Sequence, residues 1–133
     1  MKPNTKGLYI SAKPNTKPTV VEVSTIEDVY RITGWEYFDI VRLRNSETNE
    51  EADMWVDDVG LLNGSPINMV ASCMCIEILR MSFHVRGDVI IFGHDGEGET
   101  TNYPQWVVDW IIGNEIVIST VIQKTKEETT SEG

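Results

Sequence analysis

The chain is short of the residues that most often carry chemistry. Two cysteines and two histidines among 133 residues leave little material for a metal centre. Cys73 and Cys75, one residue apart, are badly spaced for a disulfide and supply at most half of a zinc site. They read as buried thiols beside Met74 and Ile76, and no metal or cofactor is expected. Lysine is missing from the whole body: all six lie at the ends, as Lys2, Lys6, Lys13, Lys17, Lys124 and Lys126. Apolar runs are short as well. Those at 89–92 and 110–112 fall far below the roughly 20 residues that cross a bilayer. Leu8-Tyr9-Ile10 is too brief for the apolar core of a signal peptide, so a cytoplasmic protein without a membrane partner is expected.

What the chain has in excess is acid. Asp and Glu outnumber Lys and Arg 21 to 11, for a formal charge of -10. Between residues 18 and 123 the five arginines Arg31, Arg42, Arg44, Arg80 and Arg86 face 18 acids, so the body alone carries -13. Such a surface repels polymeric phosphate and anionic membranes, which argues against a general DNA or RNA binder. The length and the 41% hydrophobic content suit one core of ordinary size. We expect a single domain over residues 1–123 and a solvated polar tail over 124–133, where no apolar residue occurs.

Local patterns predict an α+β fold, a small antiparallel or mixed sheet with two or three short helices. Lys-Pro-Asn-Thr-Lys occurs at 2–6 and again at 13–17, and the second copy separates Leu8-Tyr9-Ile10 from Val20-Val21-Glu22-Val23. Its Pro-Asn core suits the turn of an N-terminal hairpin. Thr25, with Asp28 three residues on, opens a short helix that Gly34 ends. Alternation over 37–44 and the run Met54-Trp55-Val56 predict a second hairpin across the polar turn 45–51. Residues 67–81 have helical spacing with Asn68 as a candidate cap, although Cys75-Ile76 and Ile78-Leu79 also suit a strand. Residues 88–93 read as a buried strand, Pro104 starts a helix that Gly113-Asn114 stops, and the β-branched run 116–122 reads as a last strand.

Most motifs fail on their spacing. Gly93-His94-Asp95-Gly96-Glu97-Gly98-Glu99 lacks the Gly-Lys-Ser/Thr ending of a phosphate-binding loop. Counted from Asp95 as a calcium loop, it puts Thr100 and Trp106 where glycine and glutamate belong. It reads first as an acidic turn between a strand and a helix, with backbone N–H groups that could hold an anion. There is no Gly-x-Ser-x-Gly elbow and no catalytic residue is assigned; a hydrolase built on His94 and Asp95 is a weaker alternative. Trp106 and Trp110 fit the core face of a helix, whereas Trp55, on a half-exposed strand, is freer to stack on a base or sugar.

The stretch Val56-Asp57-Asp58-Val59-Gly60-Leu61-Leu62-Asn63-Gly64-Ser65-Pro66-Ile67-Asn68-Met69-Val70-Ala71-Ser72 resembles the signature of a phage- and plasmid-borne family, domain-of-unknown-function family 3846. The shared features are an acidic strand end, glycine and leucine, a short gap, Pro-x-Asn and then small residues. Residues 87–99, from Gly87-Asp88 through the apolar strand to the acidic glycine turn, match the second half of the family pattern. The likeness covers residues 8–112, with Met69 where relatives often carry arginine and a longer stretch at 74–84. It implies a phage accessory protein acting in the cytoplasm of an infected bacterium, among host-takeover and anti-defence functions. By analogy, the expected activity is sequestration, without cleavage, of a nucleotide immune signal of cyclic oligonucleotide or cyclic ADP-ribose type by a homo-oligomer. Such a sponge needs stacking faces, arginine forks for phosphate and neutral hydrogen-bond groups. The expected ligand-binding residues are Arg42, Arg44, Trp55, Asn63, Asn68, Ser72, Arg86, His94, Thr100, Thr101 and Tyr103. The alternative is an acidic protein-binding inhibitor that mimics nucleic acid on a host enzyme.

Overall fold

The most apolar run of the chain, Val-Ile-Ile-Phe, needs partners on both of its faces, and the fold supplies them. The computed structural model describes residues 1–60, 64–81, 84–115 and 118. Its elements are β1 (Thr5–Ile10), β2 (Thr19–Val23), α1 (Ile26–Thr33), β3 (Phe38–Arg44), β4 (Glu51–Asp57), α2 (Met69–Leu79), β5 (Val89–His94), β6 (Thr100–Thr101) and α3 (Gln105–Gly113). The strands lie in the order β2-β1-β5-β4-β3, with β6 on β5, and every strand pair is antiparallel. The expected α+β class forms; of the alternatives left open, the described residues show the antiparallel sheet and three short helices.

Side chains alternate across this sheet and divide the core in two. One face gathers Leu8, Ile10, Leu43, Ala52, Met54, Val89 and Ile91 under Ala71, Met74 and Cys75 of α2 and Trp106 and Val107 of α3. The other gathers Val23, Trp55, Ile90 and Phe92 under Val29 of α1 and Trp35. Residues 89–92 are therefore fully buried, which is why β5 reads as a continuous apolar run rather than an alternating one. Glycine at position 7 follows from the same crowding. A Cβ there would stand 2.6 Å from Ile90 Cγ2 and 2.7 Å from the Phe92 ring.

Local signals set the element ends. Thr25 Oγ1 accepts from the Asp28 N–H and the Asp28 carboxylate accepts from the Thr25 N–H, a reciprocal capping box on α1. Gly34 ends α1 in the left-handed region at φ 76°. In the two pentapeptide copies Asn4 and Asn15 take φ 58° and 62°, so the repeat is one turn used twice. Residues 69–79 are a helix and not a strand, because Asn68 Oδ1 accepts from the Ala71 N–H and caps it. Pro104 is the N-cap residue of α3. The tail expected at 124–133 and most of the strand expected at 116–122 lie outside the described residues. Ile118 is described, and its N–H donates to the Asn114 carbonyl at 3.0 Å, which is helical spacing rather than a strand at that point.

Asn68 ties three segments together. Fully buried, it donates from Nδ2 to the carbonyls of Ile10 and Gly87, each at 3.0 Å, besides capping α2. Asn68→Ala strands two buried carbonyls and one helix N–H, for an expected loss of about 2–4 kcal/mol. Urea unfolding followed by circular dichroism measures it, and a loss near zero would contradict this role.

Candidate functional site

The structure brings four of the expected ligand residues to one place and Arg86 to another. On the α1 side of the sheet, Arg42 and Arg44 of β3, Glu51 and Asp53 of β4, His94 of β5 and Thr100 of β6 come to one region. Asp53 is buried at the centre of it. Its Oδ1 accepts from Arg42 Nε at 3.2 Å, and its Oδ2 lies 3.1 Å from His94 Nδ1. Glu51 stands further out, 3.8 Å from Arg42 and 3.9 Å from His94 Nε2. His94 lies between the two carboxylates, with Nδ1 toward Asp53 and Nε2 toward Glu51. This group is a nearly neutral ion network whose charges answer one another, because a buried carboxylate needs such partners.

On the other side a cavity of about 190 Å3 opens near the end of the β3–β4 hairpin, lined by Val41, Val56, Asp57, Asp58, His84, Val85 and Arg86. Val41 and Val56 come from adjacent strands and form its apolar floor. Segment 84–86 is held across α2 by Ser72, whose Oγ accepts from the Val85 N–H at 2.9 Å. Arg86 pairs with Ile67 as an isolated bridge, and its Nη1 donates to the Ser65 carbonyl at 3.1 Å. The guanidinium is thus anchored on one side. Asp57 Oδ1 is partly engaged by the Val59 N–H at 3.1 Å. His84, Asp57 and Asp58 were not among the expected site residues; only the pairing of 67 with 86 gathers them.

Several expected contacts are spent inside the fold. Trp55 is not half-exposed: it is 3% exposed, stacked on Phe38 with ring centroids 4.5 Å apart and packed against Phe92 at 4.9 Å. Both neighbours belong to the core under α1, so no base can reach its ring faces. Its Nε1–H is buried with no hydrogen-bond partner among the described residues. Asn68 and Ser72 are buried and bonded as above. Thr101 pairs with Gly93, and Tyr103 packs beside the main core with its N–H on the Lys6 carbonyl at 2.9 Å. Asn63 lies outside the described residues.

The acidic turn between β5 and β6 is no anion cradle. Asp95 Oδ1 accepts from the Glu97 and Glu99 N–H groups, each at 2.9 Å, and its carbonyl accepts from the Gly98 N–H. The turn therefore supplies its own anion. Asp95 is occupied there and makes no dyad with His94, whose imidazole turns to Asp53. Buried Cys75 is equally withdrawn: burial pushes its thiol up to about 11. Burial, with the Glu77 charge behind it, raises the Cys73 thiol too. Both cysteines are free and protonated, which leaves them poor nucleophiles. Among the described residues no group of three or more His, Cys, Asp and Glu side chains could hold a metal ion.

Residues 6–114 match the family described as Domain of unknown function (DUF3846), and the chain belongs to that family. The match spans the described strands from the second residue of β1 onward, the cavity and the three described helices. No curated protein and no solved structure matches the chain. No described helix is long and apolar enough to cross a membrane.

The Asp95 turn gives a pH test. Hydrogen bonds from the Glu99 and Glu97 N–H groups hold its carboxyl below the ordinary range. A folded value below the unfolded one stabilises the protein above the unfolded pKa, and that stability is lost as pH falls through the folded value. Asp95→Ala should lower the urea midpoint at neutral pH, and the gap from wild type should close as pH drops below the carboxylate range. A gap that is constant with pH would contradict the account.

Proposed function

We propose that the protein is a binding protein that holds one unit of a small nucleotide in the cavity over Val41 and Val56 and does not cleave it. The observation that carries this reading is the make-up of that cavity, an apolar floor of Val41 and Val56 edged by Arg86, His84, Asp57 and Asp58. The floor suits the face of a base. Asp58 accepts from exocyclic amino and ring N–H groups, while Arg86 and His84 answer a phosphate. A volume of about 190 Å3 is below the roughly 300–1,000 Å3 of ordinary ligand pockets, so a cyclic oligonucleotide would insert one base rather than enter whole.

On this reading the wider role is sequestration of a bacterial immune signal by a phage anti-defence protein in the host cytoplasm, and its support is the family resemblance. Nucleic-acid mimicry finds less support. Exposed acids are spread over β2 (Glu22), α1 (Glu27), the β3–β4 turn (Glu47, Glu50), α2 (Glu77), the β5–β6 turn (Glu97) and α3 (Asp109), not gathered on one face.

Calorimetry against a panel of linear and cyclic nucleotides tests the proposal. The expected result is sub-micromolar binding of at least one, released unchanged by mass on heating. Arg86→Ala should weaken it at least tenfold, about 1.4 kcal/mol, while Arg31→Ala on α1 leaves it unchanged. No heat across the panel, or a released product of altered mass, would overturn it.

A further inference from the structure

Strand β3 is an edge of the sheet, and among the described residues no strand pairs with its outer side. Alternation decides which backbone groups are open there. The Tyr37 carbonyl accepts from the Asp58 N–H, and the Asn45 N–H donates to the Glu50 carbonyl. Odd-numbered residues of β3 therefore turn their backbone toward β4, and Phe38, Ile40, Arg42 and Arg44 turn theirs outward. Ile40 is 42% exposed at the middle of the edge, its N–H met by the neighbouring Asp39 carboxylate at 2.8 Å. A seven-residue edge of this kind is a template for another strand.

The order of charges selects the strand that fits. Glu36 and Asp39 precede Ile40, and Arg42 and Arg44 follow it. An antiparallel copy reverses that order, so that Glu36, just ahead of β3, lies beside Arg44 of the partner subunit at each end of the pair. The opposite edge, β2, has no such complementarity, since Glu22 is its sole charge.

We propose that two copies of this chain pair antiparallel through β3, with Ile40 opposite Ile40 of the partner subunit, to form one continuous sheet. In this register the Ile40 N–H exchanges the Asp39 carboxylate for the C=O of Ile40 of the partner subunit, and Arg42 stands over Phe38 of the partner subunit. Arg44 reaches Glu36 of the partner subunit, and two-fold symmetry makes each contact twice. Centring the pair on Asp39 or on Arg42 would instead oppose like charges, and centring it on Val41 carries Arg44 two residues away from Glu36 of the partner subunit. This pairing does not rest on the ligand reading.

Sedimentation of the full chain at micromolar concentration and moderate salt tests it. The wild type should run at twice the 15.0 kDa chain mass, and raised salt should weaken the assembly. Arg44→Glu and Glu36→Arg should each raise the dissociation constant at least tenfold. Mixed in equal amounts, the two variants should form a heterodimer, because opposite charges then meet at both ends. The double variant E36R/R44E should pair as wild type does. A monomeric wild type, single variants that pair undiminished, or a mixture that stays monomeric would each overturn the proposal.

Discussion

Burial of β5 on both faces is the constraint from which the layout follows. A strand of Val89, Ile90, Ile91 and Phe92 with no exposed surface needs neighbours on each side and a covering layer above and below. β1 and β4 supply the neighbours, α2 and α3 one layer, and α1 with Trp35 the other. The layers are unequal. α1 has only eight residues, so toward β3 its face of the sheet opens to solvent and leaves Ile40 and Arg42 exposed. Gly7 belongs to the same constraint, because the Ile90 and Phe92 side chains fill the space a Cβ would take.

The internal arginines do not converge on a common pocket. Arg31 pairs with Asp28 on α1 at 2.8 Å, and Arg42 pairs with Asp53. Arg80 is the left-handed C-cap residue of α2, and Arg86 edges the cavity. Arg42 and Arg44 share one strand, and Glu36, just ahead of that strand, is the acid that would answer Arg44 in a second copy. A body charge of -13 thus coexists with locally balanced regions, since pairs within about 8–10 Å outweigh distant screened acids.

Elements whose ends are set by neighbours in sequence were legible in it. Thr25, Asp28 and Gly34 delimit α1 as their spacing implies, the Pro-Asn turns close where they recur, and Asn68 settles the ambiguous stretch in favour of a helix. The site was legible only in part. The strand pattern implies a half-exposed Trp55, and no local signal shows that Phe38 and Phe92 cover it. The Arg42–Asp53–His94 alignment needs the register of three strands, two of them 41 residues apart in sequence at the contact. The cavity needs the crossing of 67 and 86, a pairing no local pattern encodes. Asn68 and Ser72 looked like ligand groups because buried hydrogen bonding and ligand binding draw on the same residue types.

Everything said of function turns on whether the cavity beside Arg86 is the place a nucleotide goes. A backbone amide spectrum recorded by NMR during titration with the tightest-binding nucleotide locates the site directly. The account predicts shifts concentrated at Val41, Val56, Asp58, Val85 and Arg86, with Ile90, Phe92 and the α1 residues unmoved. Shifts centred on Arg42, Asp53 and His94 across the sheet, or none at the cavity, would contradict it.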